Sequence, residues 1–129
     1  MRFFAAACSL LLVAACEVTD PNTLPVGTAL SQVTEAEQAS LGALLSRNLR
    51  DPASVQFRGW QAYNLSNGDR AICGEMNGKN AYGGYVGFEP FYLRMRGGAV
   101  IASQTVDAYA AEACRQAASG QMSVNPEVG

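Results

Sequence analysis

An uncharged run from Phe3 to Ala15, preceded by Arg2 and closed by Cys16, constrains this chain before anything else does. A positive start, a short apolar stretch and small residues at its end form the layout of a secretory signal, which is removed from the mature protein. A membrane-spanning helix needs about 20 apolar residues, so the run is too short for that role. Residues 1–15 are therefore assigned to export, and folding falls to the remainder of the chain. Residues 16–129 suffice for a single domain with a modest core, near the size at which a covalent staple matters.

The segment Leu12-Val13-Ala14-Ala15-Cys16 resembles the lipobox of bacterial lipoproteins. That resemblance implies diacylglycerol on the Cys16 thiol, cleavage just before it, and three acyl chains on the mature protein, which together anchor stably where one chain does not. Cys8 also follows alanines, but too little apolar chain precedes it. Glu17 stands where an inner-membrane protein of this kind carries aspartate, so the resemblance implies the outer membrane, facing the periplasm. Up to Val33 the chain has Pro21, Pro25, Gly27 and several Ser and Thr with little periodicity. Residues 16–33 read as a lipidated tether spanning about 20–25 Å as a flexible coil.

Composition excludes several kinds of chemistry. The chain has no histidine, which removes the commonest general base, the commonest zinc ligand and every histidine-activated nucleophile. Arg2 is one of nine basic residues, and all eleven acidic ones follow Cys16. The exported part thus carries eight basic residues against eleven acidic, a net charge of −3. A mildly acidic domain with scattered arginines lacks the dense basic patch that nucleic acid requires. No cofactor and no metal are expected.

Thr34-Glu35-Ala36-Glu37 fits a capping box. Behind it Leu41, Leu44, Leu45 and Leu49 fall on one helical face, so a helix is expected over about 35–49, ended by Pro52. From Val55 the period changes to two. Asn67-Gly68 suits a two-residue hairpin loop, which would set Tyr63 opposite Ile72, Gly59 opposite Met76 and Cys73 opposite Ala62. One face would then collect Phe57, Tyr63, Leu65, Ile72 and Met76. A second hairpin turns at Gly97-Gly98, with Val100 opposite Met95 and Ala102 opposite Leu93. Asp107 to Ala118 is alanine-rich and helical in propensity, with Gly120 as its stop. Residues 121–129 read as a flexible tail. The expected fold is α+β: residues 34–120 form an antiparallel sheet of about four strands, in two hairpins, packed with an N-terminal and a C-terminal helix on one face.

Cys73 and Cys114 form an even pair in an oxidising compartment and are expected to be bridged. The hairpin register puts Cys73 on the face opposite Tyr63. Either the terminal helix packs on that second face, or a bulge near Gly74 re-aims the side chain.

The most distinctive stretch runs from Cys73 to Phe88, where Gly74, Gly78, Gly83, Gly84 and Gly87 interleave with Tyr82, Tyr85, Phe88 and the single lysine, Lys79. With the upstream Asp51-Pro52-Ala53-Ser54-Val55-Gln56-Phe57 it resembles a group of small uncharacterised bacterial and phage proteins. Their pattern is DPxSxxF followed by CGxxNxKN and GGYxGxxxF. The match covers about residues 49–92 and implies a shared domain without a particular chemistry. Asn77, Lys79, Asn80, Tyr82, Gly83, Gly84 and Tyr85 form a candidate binding loop, with the tyrosines as platforms and Lys79 and Asn80 as polar contacts. The alternative is a structural loop between the hairpins. Neither phosphate-loop pattern is present.

Trp60 is expected to pack half exposed opposite Glu75, and Arg94 and Arg96 to form a solvated strand face. The leading functional expectation is a non-enzymatic, lipid-anchored binding or accessory domain of the envelope with a protein or glycan partner. A narrower form is an inhibitor of a wall hydrolase. The competing class is a carboxylate-based wall hydrolase using Glu75 with Glu89 or Asp69.

Overall fold

The computed structural model describes residues 21–105 and 108–126; the expected signal segment, Cys16 and Asp107 lie outside them. In chain order the elements are β1 (Leu24–Ser31), α1 (Glu35–Ser46), a single 3-10 turn (Pro52–Ser54), β2 (Gln56–Leu65), β3 (Arg70–Asn77), β4 (Glu89–Arg96), β5 (Ala99–Thr105), α2 (Ala108–Ser119) and β6 (Gln121–Val124). The strands form one antiparallel sheet in the order β5-β4-β3-β2-β1-β6.

The α+β class and the antiparallel sheet are as expected, but the strands number six rather than about four. The two additional strands come from segments read as tether and tail. Strand β1 leaves little mark in the sequence because it hardly alternates: Val26 is buried, while Leu24 is 57% and Leu30 72% exposed. It is shared lengthwise between two partners. Leu24–Gly27 pairs with β6, and Thr28–Ser31 pairs with β2. Pro25, which brings no N–H to a ladder, therefore sits where only one side is paired. Strand β6 buries Met122 and Val124 and exposes the residues between, a period of two too short to detect alone.

Helix α1 opens with the expected capping box. Thr34 Oγ1 accepts from the Glu37 N–H at 3.2 Å, and Glu37 Oε2 accepts from the Thr34 N–H at 2.9 Å. The helix stops at Ser46 instead of residue 49. The chain then turns so that Leu49 lies over Gly78 and Arg50 reaches the loop that follows β3.

The β2–β3 hairpin departs from the expected register by one residue. Its loop is Ser66-Asn67-Gly68, with the Leu65 N–H donating to the Asp69 carbonyl at 2.9 Å and Gly68 at φ +92°. Asn67 Oδ1 accepts from the Asp69 N–H at 3.0 Å, so the asparagine closes the turn with its own side chain. Tyr63 consequently faces Ala71, not Ile72, and Cys73 faces Gln61, not Ala62. A slip of one residue exchanges the faces of the sheet. A bulge between Arg58 and Gln61 then moves Phe57 opposite Met76. The one apolar face expected for this hairpin is thus divided between two. In the β4–β5 hairpin, Gly97 and Gly98 take φ +57° and +81°, and Met95 faces Val100 as expected. A bulge beyond that pair sets Ala102 opposite Arg94 rather than Leu93.

The helices lie on opposite faces, a correction to the single helical layer read from sequence. On one face, Leu41 and Leu45 of α1 meet Ala62, Ile72, Met76, Phe91 and Leu93. On the other, Ala110, Ala113 and Ala117 of α2 meet Tyr63, Leu65, Ala71, Cys73 and Tyr92, together with Val26, Met122 and Val124. A disulfide joins Cys73 to Cys114 with the Cα atoms 5.8 Å apart. It staples β3 to α2, and neither placement left open for Cys73 is the one realised: the slip in register brings Cys73 onto the same face as Tyr63, and the terminal helix packs there. Gly74 is the residue that fits beneath Phe91, since a Cβ there would stand 2.5 Å from the Phe91 ring.

Candidate functional site

The glycine-rich loop between β3 and β4 is built around Asn80. Its Oδ1 accepts from the Tyr82 N–H at 2.9 Å and the Gly84 N–H at 3.1 Å, while its own N–H donates to the Gly84 carbonyl at 2.8 Å. Gly83 closes the turn at φ +80° with its N–H on the Asn80 carbonyl. Lys79 and Tyr85 form a bridge below it, and the Val86 N–H donates to the Gly78 carbonyl at 3.2 Å. Asn77 secures the base: its Oδ1 accepts from the Gly87 N–H at 3.0 Å and its Nδ2 donates to Gln56 Oε1 at 3.2 Å.

The segment before β2 clasps this loop from the side. Arg50 Nη1 donates to the Ala81 carbonyl at 2.7 Å, Asp51 Oδ2 lies 3.7 Å from Lys79 Nζ, and the Tyr85 hydroxyl donates to the Ser54 carbonyl at 2.7 Å. Lys79 Nζ also stands 5.3 Å from the centre of the Tyr85 ring, within cation–π range. The two separated stretches singled out in the sequence, residues 51–57 and 73–88, are therefore one structural unit. Arg50, Asp51 and Ser54 were not among the candidate site residues. Asp51 and Ser54 fall within the upstream stretch and Arg50 immediately precedes it, which was the signal that they belonged with the loop.

This geometry sorts the candidates. Asn77, Asn80, Lys79 and Tyr85 hold the loop together, although Tyr85 remains 44% exposed. Tyr82 stands apart: its side chain is 97% exposed at the tip, carried by a backbone that Asn80 fixes. Gly83 and Gly84 are exposed beside it.

The carboxylates named for a hydrolase do not converge. Glu75 pairs with Arg58 at 3.3 Å. Glu89 faces Met76 across the ladder, one residue out of step with Glu75, so the two acids lie on opposite faces of the sheet. Asp69 is buried at the β2–β3 turn, its oxygens 2.7 and 2.9 Å from Arg96 and 3.4 Å from Arg94 Nε. The hydrogen bond from Arg96 and burial act in opposite senses on its carboxyl, and the former wins, holding its pKa below the usual value. Arg94 is itself buried and donates to the Asn125 carbonyl at 2.8 Å. The expected solvated face of Arg94 and Arg96 is instead an ion-pair cluster beside α2, because Asp69 shares that face and needs compensation. Trp60 faces no acid. It sits at the bulge and packs against Phe91, ring centres 4.8 Å apart, while Arg58 takes the position opposite Glu75.

Among the described residues, no cluster of three or more His, Cys, Asp or Glu side chains is placed to hold a metal, and no helix is long and apolar enough to cross a membrane. No protein-family model, curated protein or solved structure matches the chain.

Proposed function

We propose that this chain is an exported, lipid-anchored binding domain of the bacterial envelope, held by Cys16 and recognising a protein or glycan partner through the loop that carries Tyr82. The exposed Tyr82 on a fixed turn carries the reading. An aromatic side chain with almost no contacts stabilises nothing in its own domain, yet it supplies large contact area at low entropic cost to a partner. Preorganisation by Asn80 and the clasp at Arg50, Asp51 and Ser54 reduces the ordering that binding would otherwise require.

The polarity of the sheet supports the same reading. Gly27 and Ser66 exchange hydrogen bonds of 2.9 Å, so the chain comes into the fold beside the β2–β3 turn. The glycine-rich loop leaves the opposite end of β3, a strand of eight residues, roughly 25 Å away at the usual rise per residue. An anchor at the N-terminal end therefore presents Tyr82 away from the membrane.

Mass spectrometry and crosslinking test the proposal in turn. The mature chain is expected to begin at Cys16 with fatty acyl mass attached, and an unmodified start at Met1 overturns the anchoring. The Tyr82→Ala variant is expected to fold with stability within about 0.5 kcal/mol of the parent, as surface substitutions do. It should lose the crosslinked partner that the parent captures from its own envelope. Equal capture by both chains makes the loop structural only. Tyr85→Ala is the poorer probe, because it also removes the bond to Ser54.

A further inference from the structure

A second feature lies against the clasp. Helix α1 and the segment that follows it enclose a shallow groove of about 560 Å³, walled by Ala39, Gly42 and Ala43 on the helix and by Pro52, Ala53 and Phe57 opposite. The lining runs along α1 from Gln38 to Arg47, about 13 Å at the helical rise. That length matches an extended chain of about four residues. The groove is open along its length and apolar, a shape suited to a strand of side chains more than to a compact polar molecule.

Charge selects among occupants. Arg47 lines the groove, is exposed and makes no ion pair among the described residues. Arg50, exposed three positions on, donates to the Ala81 carbonyl rather than to an acid. Of the acids nearby, Asp51 is compensated by Lys79, Glu75 by Arg58 and Glu37 by Arg70, and Glu35 stands at the other end of α1 from Arg47. One end of an apolar groove is therefore cationic in a chain of formal charge −2. It also adjoins the tethered loop, since Pro52 and Ala53 form its wall and their neighbour Ser54 receives Tyr85.

We propose that this groove takes an apolar peptide segment flanked by acidic side chains, contributed by a protein partner that also meets Tyr82. The inference rests on the reading of the loop as a recognition surface and names the chemistry of what is recognised. Apolar side chains fill the space beside Ala43 and Phe57. Carboxylates at the end of the segment meet Arg47 and Arg50, which sets its direction and speeds encounter more than it adds affinity.

A displayed random-peptide library, panned on the chain carrying Cys16→Ser, tests this. That substitution removes the lipid and lies outside the described fold. The expected result is enrichment of peptides with a short apolar core beside Asp or Glu. Binding of a selected peptide should weaken about tenfold in Arg47→Glu and be lost in Ala43→Trp, which fills the groove from an exposed helix position. No enrichment, enrichment of basic peptides, or indifference to both substitutions overturns the proposal. So does binding to phosphatidylglycerol vesicles with the same sensitivity, which would make the groove a site for anionic lipid. If Tyr82→Ala abolishes peptide binding while the two groove variants retain it, the groove fails and the loop stands.

Discussion

The two faces of the sheet close their cores by different means. Beneath α1 the sheet presents large side chains. Phe57, Trp60 and Phe91 pack with ring centres 4.8 to 6.1 Å apart, and Ile72, Phe91 and Leu93 are fully buried. Beneath α2 the helix offers mainly Ala110, Ala113 and Ala117, whose small side chains allow close approach but bury little apolar area each. That face adds specific bonds: the disulfide, the Thr28 hydroxyl donating to the Ala117 carbonyl at 2.6 Å, and the ion pairs that the buried Asp69 makes with Arg94 and Arg96. Helix α2, poor in apolar bulk, is tied down by a covalent bond and a hydrogen bond, whereas α1 lies over an aromatic cluster and adds the ion pair of Glu37 with Arg70.

This contrast can be broken by experiment. The largest effect is expected for Phe91→Ala, which removes a fully buried ring from the centre of the aromatic cluster; urea unfolding should show a loss of about 4 kcal/mol. On the other face, the paired change Cys73→Ser with Cys114→Ser should lose about 3 kcal/mol, inside the usual range for a disulfide and below the ~4 kcal/mol ceiling that chain entropy sets for a loop closed across 41 positions. A loss greater than that of Phe91→Ala would reverse the order and make the covalent face the stronger. The smallest effect is expected in acid. The Arg96 hydrogen bond holds Asp69 below its ordinary value of 3.8. The stability this confers is complete above that value and disappears as pH falls through the lower value of the folded chain. Replacing Asp69 with Asn should therefore flatten the dependence of unfolding on pH below about 4, and an unchanged acid limb would deny the ion pair its role.

The helices were legible in the sequence because capping and propensity are local. Thr34 and Glu37 announce α1, and the alanines before Gly120 announce α2. Both hairpins were legible from their glycine turns. The register was not, because Asn67-Gly68 serves a three-residue loop as readily as a two-residue one, and a single residue decides which face Tyr63 and Ile72 occupy. Strands β1 and β6 were illegible for a different reason. Their ladders are drawn from opposite ends of the chain, and neither Leu24–Ser31 nor Gln121–Val124 alternates long enough to declare itself. Of the site, the loop residues were found but their division of labour was not. Nothing in the sequence distinguishes Tyr85, bonded to Ser54, from Tyr82, which touches almost nothing. Arg94 and Arg96 alternate like an exposed strand and are buried or paired only because Asp69 arrives from a distant turn.

The pairing of β6 with β1 bears on when the domain comes together. Val26 reaches its neighbours Met122 and Val124 only after residues 121–124 have been delivered, and the sulfur of Cys114 is needed slightly earlier. In a chain made from its N-terminus, the Leu24–Gly27 half of β1 therefore waits without a ladder partner while the Thr28–Ser31 half already has β2. Of the described ladders, the one between β1 and β6 is the last whose residues are all present, so the sheet is completed there.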